Sequence, residues 1–197
     1  MKRQAFPAGY TPVRVVDYTR RGLSFGLTLA SLLVMVLCAL PIGIPAVARR
    51  LFLLLDPATG EATLTFGLTG ILLALLAGLL LIALHEALHA LVMRAYTRDR
   101  LRCRATGFGI AVFCPTDSFS RAAYARIAAA PAVLLTAVLA ALCLLLPAPY
   151  AGVAYLVACI HLGGCVADFY TLLLAARAGK DARFLDGGTV LLIAGRR

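Results

Sequence analysis

Charged residues are scarce in this sequence: only 14% of its 197 residues are Asp, Glu, Lys or Arg, and 62% are hydrophobic. A soluble domain of this size carries about 25% charged residues. So few charges cannot cover a surface that faces water, which excludes an ordinary soluble protein. The composition therefore predicts that the lipid bilayer is the solvent, and the length predicts one domain.

Cysteine pairs are also missing. None of the six cysteines forms a C-x-x-C pair, and four of them fall within apolar runs. Cysteine often acts as a small buried hydrophobe. The count therefore supports neither a disulfide framework nor a zinc knuckle built from thiolates.

Acidic residues are outnumbered by basic ones, nine to nineteen, which gives a net charge of +10. In a soluble protein this excess would suggest nucleic acid. Here no aromatic-basic interleaving or recognition motif accompanies the charge, so we predict no nucleic-acid partner.

Four apolar stretches reach the length of about 20 residues that a membrane helix needs. They are residues 23–47, 65–92, 127–146 and 150–176. The sequence therefore predicts an all-α membrane protein with about four transmembrane helices and a short re-entrant or cytoplasmic β-hairpin. The predicted organisation is a cytoplasmic N-terminal segment (1–22), a four-span membrane domain with a zinc site (23–177) and a cytoplasmic tail (178–197). Pro41 and Pro45 are expected to kink or end the first span.

The distribution of Lys and Arg predicts the orientation. Five basic residues precede the first span, seven lie between the second and third, and five follow the fourth, whereas the opposite side holds only Arg49 and Arg50. Basic residues accumulate on the cytosolic side. We therefore predict a multi-pass protein, in a bacterial cytoplasmic membrane, with both termini in the cytosol.

The connection between the second and third spans contains the apolar run Gly107–Phe113, which is too short to span a membrane. Gly and Pro bound this region, so it is predicted to be a strand or hairpin against the membrane. The segments 13–16 and 189–193 have similar β character. A small sheet built from these pieces is possible, but the sequence does not give its pairing.

Three histidines are present, and two of them, His85 and His89, are four residues apart in the second span. In a helix this spacing puts both imidazoles on one face, as two ligands of a tetrahedral zinc require. Glu86 lies about 100° further round the helix. This is the H-E-x-x-H arrangement, in which the glutamate acts as a general base.

A catalytic zinc needs a third protein ligand and an open position for water. The fourth span offers His161, Cys165 and Asp168 along one helical stripe. Asp168 is the first choice because no Lys or Arg falls inside any span to balance a buried carboxylate, and a dication would. His161 is the alternative ligand, and Cys165 the third choice.

HEALH in one span and a downstream aspartate in another resemble the site-2 protease type of intramembrane zinc protease. The four-span layout and the segment 120–131, which ends at Pro131, look closer to a bacterial membrane family of zincin peptidases. The resemblance implies that His85, His89 and Asp168 bind zinc and that Glu86 is catalytic. It also implies that His161 contacts substrate. Two departures are that Phe169 replaces the glycine expected after the aspartate and that the expected proline is missing.

The leading functional prediction is a zinc metalloprotease that hydrolyses peptide bonds in or near the transmembrane segments of membrane-protein substrates. A membrane metal-ion transporter or metal-binding sensor is the alternative, because histidines and carboxylates also line ion pathways. An inactive protease-like scaffold is a third. The expected partners are a membrane-protein or peptide substrate and the lipid bilayer. The sequence does not give the oligomeric state.

Overall fold

The computed structural model describes residues 6–47, 68–106, 109–147 and 150–196. Helical residues predominate, and two small antiparallel sheets accompany them. The helices are α1 (Arg21–Ala39), a 3-10 turn (Leu40–Gly43), α2 (Leu68–Arg94), α3 (Arg121–Leu145), α4 (Tyr150–Gly164) and α5 (Val166–Arg177). The strands are β1 (Tyr10–Asp17), β2 (Arg102–Thr106), β3 (Gly109–Phe113), β4 (Phe119–Ser120), β5 (Arg183–Asp186) and β6 (Val190–Arg196).

The long helices follow the apolar stretches of the sequence. Three helices in the described ranges are long and apolar enough to cross a membrane, and α4 with α5 makes a fourth if that bent pair is one span. α1 gives way to the 3-10 turn at Leu40, and Pro41 is the second residue of that turn. Arg49, Arg50 and the start of the second stretch at residue 65 lie outside the described residues.

Apolar side chains cover the outside of these helices. No residue of α1 is buried, and Phe25 on α1 and Leu79 on α2 each expose about two thirds of their surface. Exposure of this kind is costly in water, at roughly 25 cal/mol per Å². The surface of the helices is compatible with a bilayer.

A four-stranded sheet in the order β1-β6-β5-β4 goes beyond the all-α prediction. All its neighbours are antiparallel: Val16 pairs with Leu191, and Phe184 pairs with both Ile193 and Phe119. The β character noted at residues 13–16 and 189–193 is thus explained by their pairing with each other. The run Gly107–Phe113 behaves differently, because its described part, β3, pairs with β2 in a separate hairpin. Gly107 and Phe108 lie outside the described residues.

The chain divides into two compact units. The first comprises Met1–Thr28, Ile82–Pro131 and Ala167–Arg197, and the second Leu29–Leu81 and Ala132–Val166. This division follows packing rather than the predicted membrane boundaries, so the predicted domains remain a prediction. The catalytic candidates on α2 and α5 belong to the first unit.

Aromatic and aliphatic side chains fill the core of the first unit. Phe184 and Leu191 of the sheet are fully buried, as are Ile127 of α3 and Met93 of α2. Burying such a side chain stabilises a fold by about 1.5–3 kcal/mol. The sheet therefore packs against the end of α2, which carries the histidine motif, and against the beginning of α3.

One carboxyl group lies in this core. Burial raises the pKa of Asp186, and hydrogen bonds from the Tyr124 hydroxyl and the Gly188 N–H, both at 2.7 Å, oppose that rise. Gly188 has a φ of 87°, which a residue with a side chain rarely adopts. The tight turn therefore places its N–H on Asp186 and connects β5 to β6.

The second unit shows a close helix approach at Gly163. A side chain on Gly163 would collide with the side chain of Met35 and the carbonyl of Ser31, whereas Gly164 has open space around it. Small residues allow helices to pack closely. The two neighbouring glycines therefore differ: Gly163 packs against α1, and Gly164 makes no such contact.

Candidate metal centre

The histidine pair lies on one face of α2, as its spacing predicts. The Nε2 atoms of His85 and His89 are 3.2 Å apart. Leucine and alanine fill most of the surrounding helix, which keeps it regular through the motif. Two nitrogen donors thus point to the same place.

Asp168 supplies an oxygen to the same place from α5. Its Oδ2 lies 3.2 Å from Nε2 of His85, and its Oδ1 lies 3.3 Å from Nε2 of His89. The fourth apolar stretch is broken at Cys165, so Asp168 falls in the first turn of a new helix. A carboxylate is stabilised there by the N-terminal end of the helix dipole.

The spacing of these donors fits zinc. Ligand atoms at 2.0–2.1 Å from a tetrahedral zinc are about 3.3 Å from one another. The two Nε2 atoms are 3.2 Å apart, and each lies 3.2–3.3 Å from a different oxygen of Asp168, so the separations are close to this value. Two imidazoles and one carboxylate are also a donor set that catalytic zinc uses. The residue types and their spacing therefore fit zinc, which His85, His89 and Asp168 would hold.

The ring of His89 is oriented by a backbone group of α3. Its Nδ1 lies 2.9 Å from the carbonyl oxygen of Ile127. A carbonyl can only accept a hydrogen bond, so Nδ1 must carry the proton. In the neutral ring, Nε2, the atom that faces His85 and Asp168, then has the lone pair that a metal ligand requires.

The three side chains are mostly buried but not completely enclosed by protein. The exposed fraction is 14% for His85, 11% for His89 and 17% for Asp168. No Lys or Arg side chain forms an ion pair with Asp168 in the part of the chain that the structure describes. A cation bound between the donors would balance this carboxylate in an otherwise apolar region.

Glu86 is held beside the histidines by the hairpin. Its Oε2 accepts a hydrogen bond of 3.0 Å from the N–H of Val112 in β3. Val112 faces Cys103 of β2 in the register. The N–H of Val112 points to Glu86 and therefore away from β2. Cys103 and Val112 are thus a non-hydrogen-bonded pair of the antiparallel hairpin. Among the described strands β3 pairs only with β2, and its other edge lies against the predicted general base.

His161 and Cys165, the other predicted donors, belong to the second unit. The side chain of His161 is buried, and its Nε2 lies 3.6 Å from Sγ of Cys165. The roles of His161 as alternative ligand or substrate contact, and of Cys165 as third choice, remain predictions.

Two backbone groups at the site were missed by the sequence reasoning, the N–H of Val112 and the carbonyl of Ile127. Backbone groups carry no residue-type signal, because every residue has them. For Ile127 one signal does exist, the proline four residues later in α3.

Comparison with protein families identifies the group. Residues 78–183 match the family described as "Putative zincin peptidase", and this range contains His85, Glu86, His89 and Asp168. Comparison with curated proteins and with solved structures gives no match. The family implies a zinc metallopeptidase, in agreement with the donor set. Since the match covers more than half of the chain, the protein belongs to this zincin peptidase family.

Proposed function

We propose that the protein is an intramembrane zinc metallopeptidase that cleaves peptide bonds in or near transmembrane segments of its substrates. The observation that carries the proposal is the convergence of His85, His89 and Asp168: the two Nε2 atoms are 3.2 Å apart, and each lies 3.2–3.3 Å from one oxygen of the carboxylate. The histidines lie on α2, which has the length and apolarity of a membrane span, and Asp168 lies on α5, which reaches that length only together with α4. Zinc in that position supplies Lewis acidity, which makes water nucleophilic at neutral pH and polarises a peptide carbonyl.

Glu86 provides the proton transfer. Its position next to His85 on α2 lets the carboxylate take a proton from the attacking water and return it to the leaving amine. The N–H of Val112 binds Oε2 of Glu86, which restricts the carboxylate to one orientation. A carboxylate that is already oriented needs less reorganisation to reach the transition state, which lowers the activation free energy.

The free edge of β3 offers a place for the substrate. A helical segment hides its carbonyls in internal hydrogen bonds, so it must become extended before cleavage. Residues two apart in a strand point their backbone groups in the same direction, so Ile110 faces the same edge as Val112. An extended peptide can pair with that edge by strand addition. The scissile bond would then be held beside Glu86.

The location of the motif sets the depth of cleavage. His85 and His89 lie in the last three turns of α2, which ends at Arg94. The predicted topology places that end of the helix on the cytosolic side. We therefore propose cleavage near the cytosolic face of the membrane.

The test of the function is zinc-dependent cleavage in a membrane. The purified protein is reconstituted into proteoliposomes with a set of single-span peptides, and the products are identified by mass spectrometry. We expect cleavage with one bound zinc per chain, loss of cleavage on chelation, and recovery when zinc is added back. Zinc flux across the vesicle without cleavage of any peptide would instead support the transporter, and neither flux nor cleavage would support the inactive scaffold.

Removing the N–H of residue 112 gives a narrower prediction. Val112→Pro deletes that donor without breaking a ladder bond between β2 and β3. A hydrogen bond to a charged group contributes about 1.5–3 kcal/mol, so kcat should fall by roughly tenfold to a hundredfold. Zinc content should not change.

The comparison variant, Ile110→Pro, removes a donor from the substrate edge and should raise KM more than it lowers kcat. Equal effects of both variants on kcat and KM would contradict this assignment.

A further inference from the structure

Pro131 lies inside α3, a helix that continues without a break from Arg121 to Leu145. In an α-helix the carbonyl of residue i accepts a hydrogen bond from the N–H of residue i+4. Ile127 is four residues before Pro131, and proline has no N–H. The carbonyl of Ile127 is therefore released from the helix ladder by the presence of Pro131.

The released carbonyl is the one that binds the ligand histidine. Its oxygen lies 2.9 Å from Nδ1 of His89. Ile127 and Pro131 are both fully buried, so water cannot readily replace either partner. A buried carbonyl without a partner would destabilise the fold, and His89 supplies the missing donor. One proline thus creates an acceptor at the place where a zinc ligand needs one.

We propose that Pro131 is a positioning residue of the metal centre. It acts through the carbonyl of Ile127, which holds the proton of His89 on Nδ1 and leaves Nε2 to bind the metal. Loss of such an outer partner costs about 10–100-fold in metal affinity. The inference rests on the metal site of the proposed function, but it requires only metal binding and not peptide hydrolysis.

The test is Pro131→Ala, which restores an N–H to compete for the carbonyl of Ile127. We expect the Kd for zinc to rise by about tenfold or more. The metal-free variant should nevertheless unfold at a higher temperature than the wild type, because a proline inside a helix is unfavourable. If Pro131 affected only the stability of α3, Pro131→Ala would raise the unfolding temperature and leave the Kd for zinc unchanged. Weaker zinc binding together with a higher unfolding temperature is therefore the result that only a positioning role predicts.

Two further measurements complete the test. In the zinc-loaded protein, where Nε2 has no proton, ¹H–¹⁵N NMR should show the Nδ1–H of His89 protected by its hydrogen bond in the wild type and exchanging faster with water in Pro131→Ala. In a His89→Ala background, Pro131→Ala should cause no additional loss of zinc affinity, since coupled residues are not additive. Val133→Ala is the matched control, because it also places alanine in α3 but at an exposed position that leaves the carbonyl of Ile127 unchanged, and its zinc affinity should equal that of the wild type.

The outcomes separate this inference from the proposed function. A wild-type Kd for zinc and an unchanged exchange rate of the His89 Nδ1–H in Pro131→Ala would overturn the inference, even if peptides are cleaved. Weaker zinc binding in Pro131→Ala, with no peptide cleaved by the wild type, would support the inference and count against the peptidase.

Discussion

Glu86→Gln is expected to lower kcat/KM for peptide cleavage by about a thousandfold while one zinc per chain stays bound. General acid-base catalysis contributes roughly 10²–10⁴-fold, and glutamine cannot accept the proton of the attacking water. The amide oxygen of glutamine can still accept the hydrogen bond that Val112 donates to Oε2. The variant therefore changes proton transfer and leaves the hairpin, the histidines and the helix in place.

The measurement is single-turnover cleavage in proteoliposomes, with zinc determined on the same sample. Asp181→Asn is the matched control, since it also converts a carboxylate to an amide but lies at an exposed position between α5 and β5. It should cleave at the wild-type rate. A Glu86→Gln protein that keeps more than about a tenth of the wild-type activity would show that another group is the base.

The long helices could be predicted from the sequence because hydropathy is a local property. Runs of 20 or more apolar residues have few alternatives to a membrane helix, and α1, α2 and α3 follow them closely. The sheet could not be predicted in the same way. β1 and β6 are separated by nearly the whole chain, and short apolar strands do not encode their partners.

The break in the fourth stretch was also beyond the sequence. Residues 150–176 have the composition of one continuous span, yet the structure divides them at Cys165 and begins α5 at Val166. This break decides which end of a helix Asp168 occupies. Composition cannot show it, because no proline marks the position.

The candidate site was partly predictable for a physical reason. The i, i+4 spacing of His85 and His89 predicts a ligand pair. Asp168 is predicted as a ligand because its charge has no cationic partner in an apolar span. The structure brings these three together. The carbonyl of Ile127, which accepts a hydrogen bond from His89, was not predicted. It is available because Pro131, four residues later, has no N–H to bind it within the helix.

Removing Asp168 should have the second large effect, a rise of about a hundredfold or more in the Kd for zinc. Asp168→Ala takes away one of the three proposed ligands, a carboxylate that contacts both imidazoles. Structural zinc sites with four ligands bind with roughly 10–16 kcal/mol, so one ligand corresponds to several kcal/mol. His85→Ala and His89→Ala should weaken zinc binding to a similar degree.

The affinities are measured by competition with a zinc chelator of known affinity, with Co²⁺ spectra to report the coordination number. In Asp168→Ala, water should replace the carboxylate, so the Co²⁺ spectrum should change while both imidazoles remain bound. His161→Ala distinguishes the alternative, because it should retain wild-type zinc affinity if Asp168 is the third ligand. Full zinc affinity in Asp168→Ala together with its loss in His161→Ala would transfer the third position to His161. The balance of charge would then have to come from Glu86, and the general base would need a new assignment.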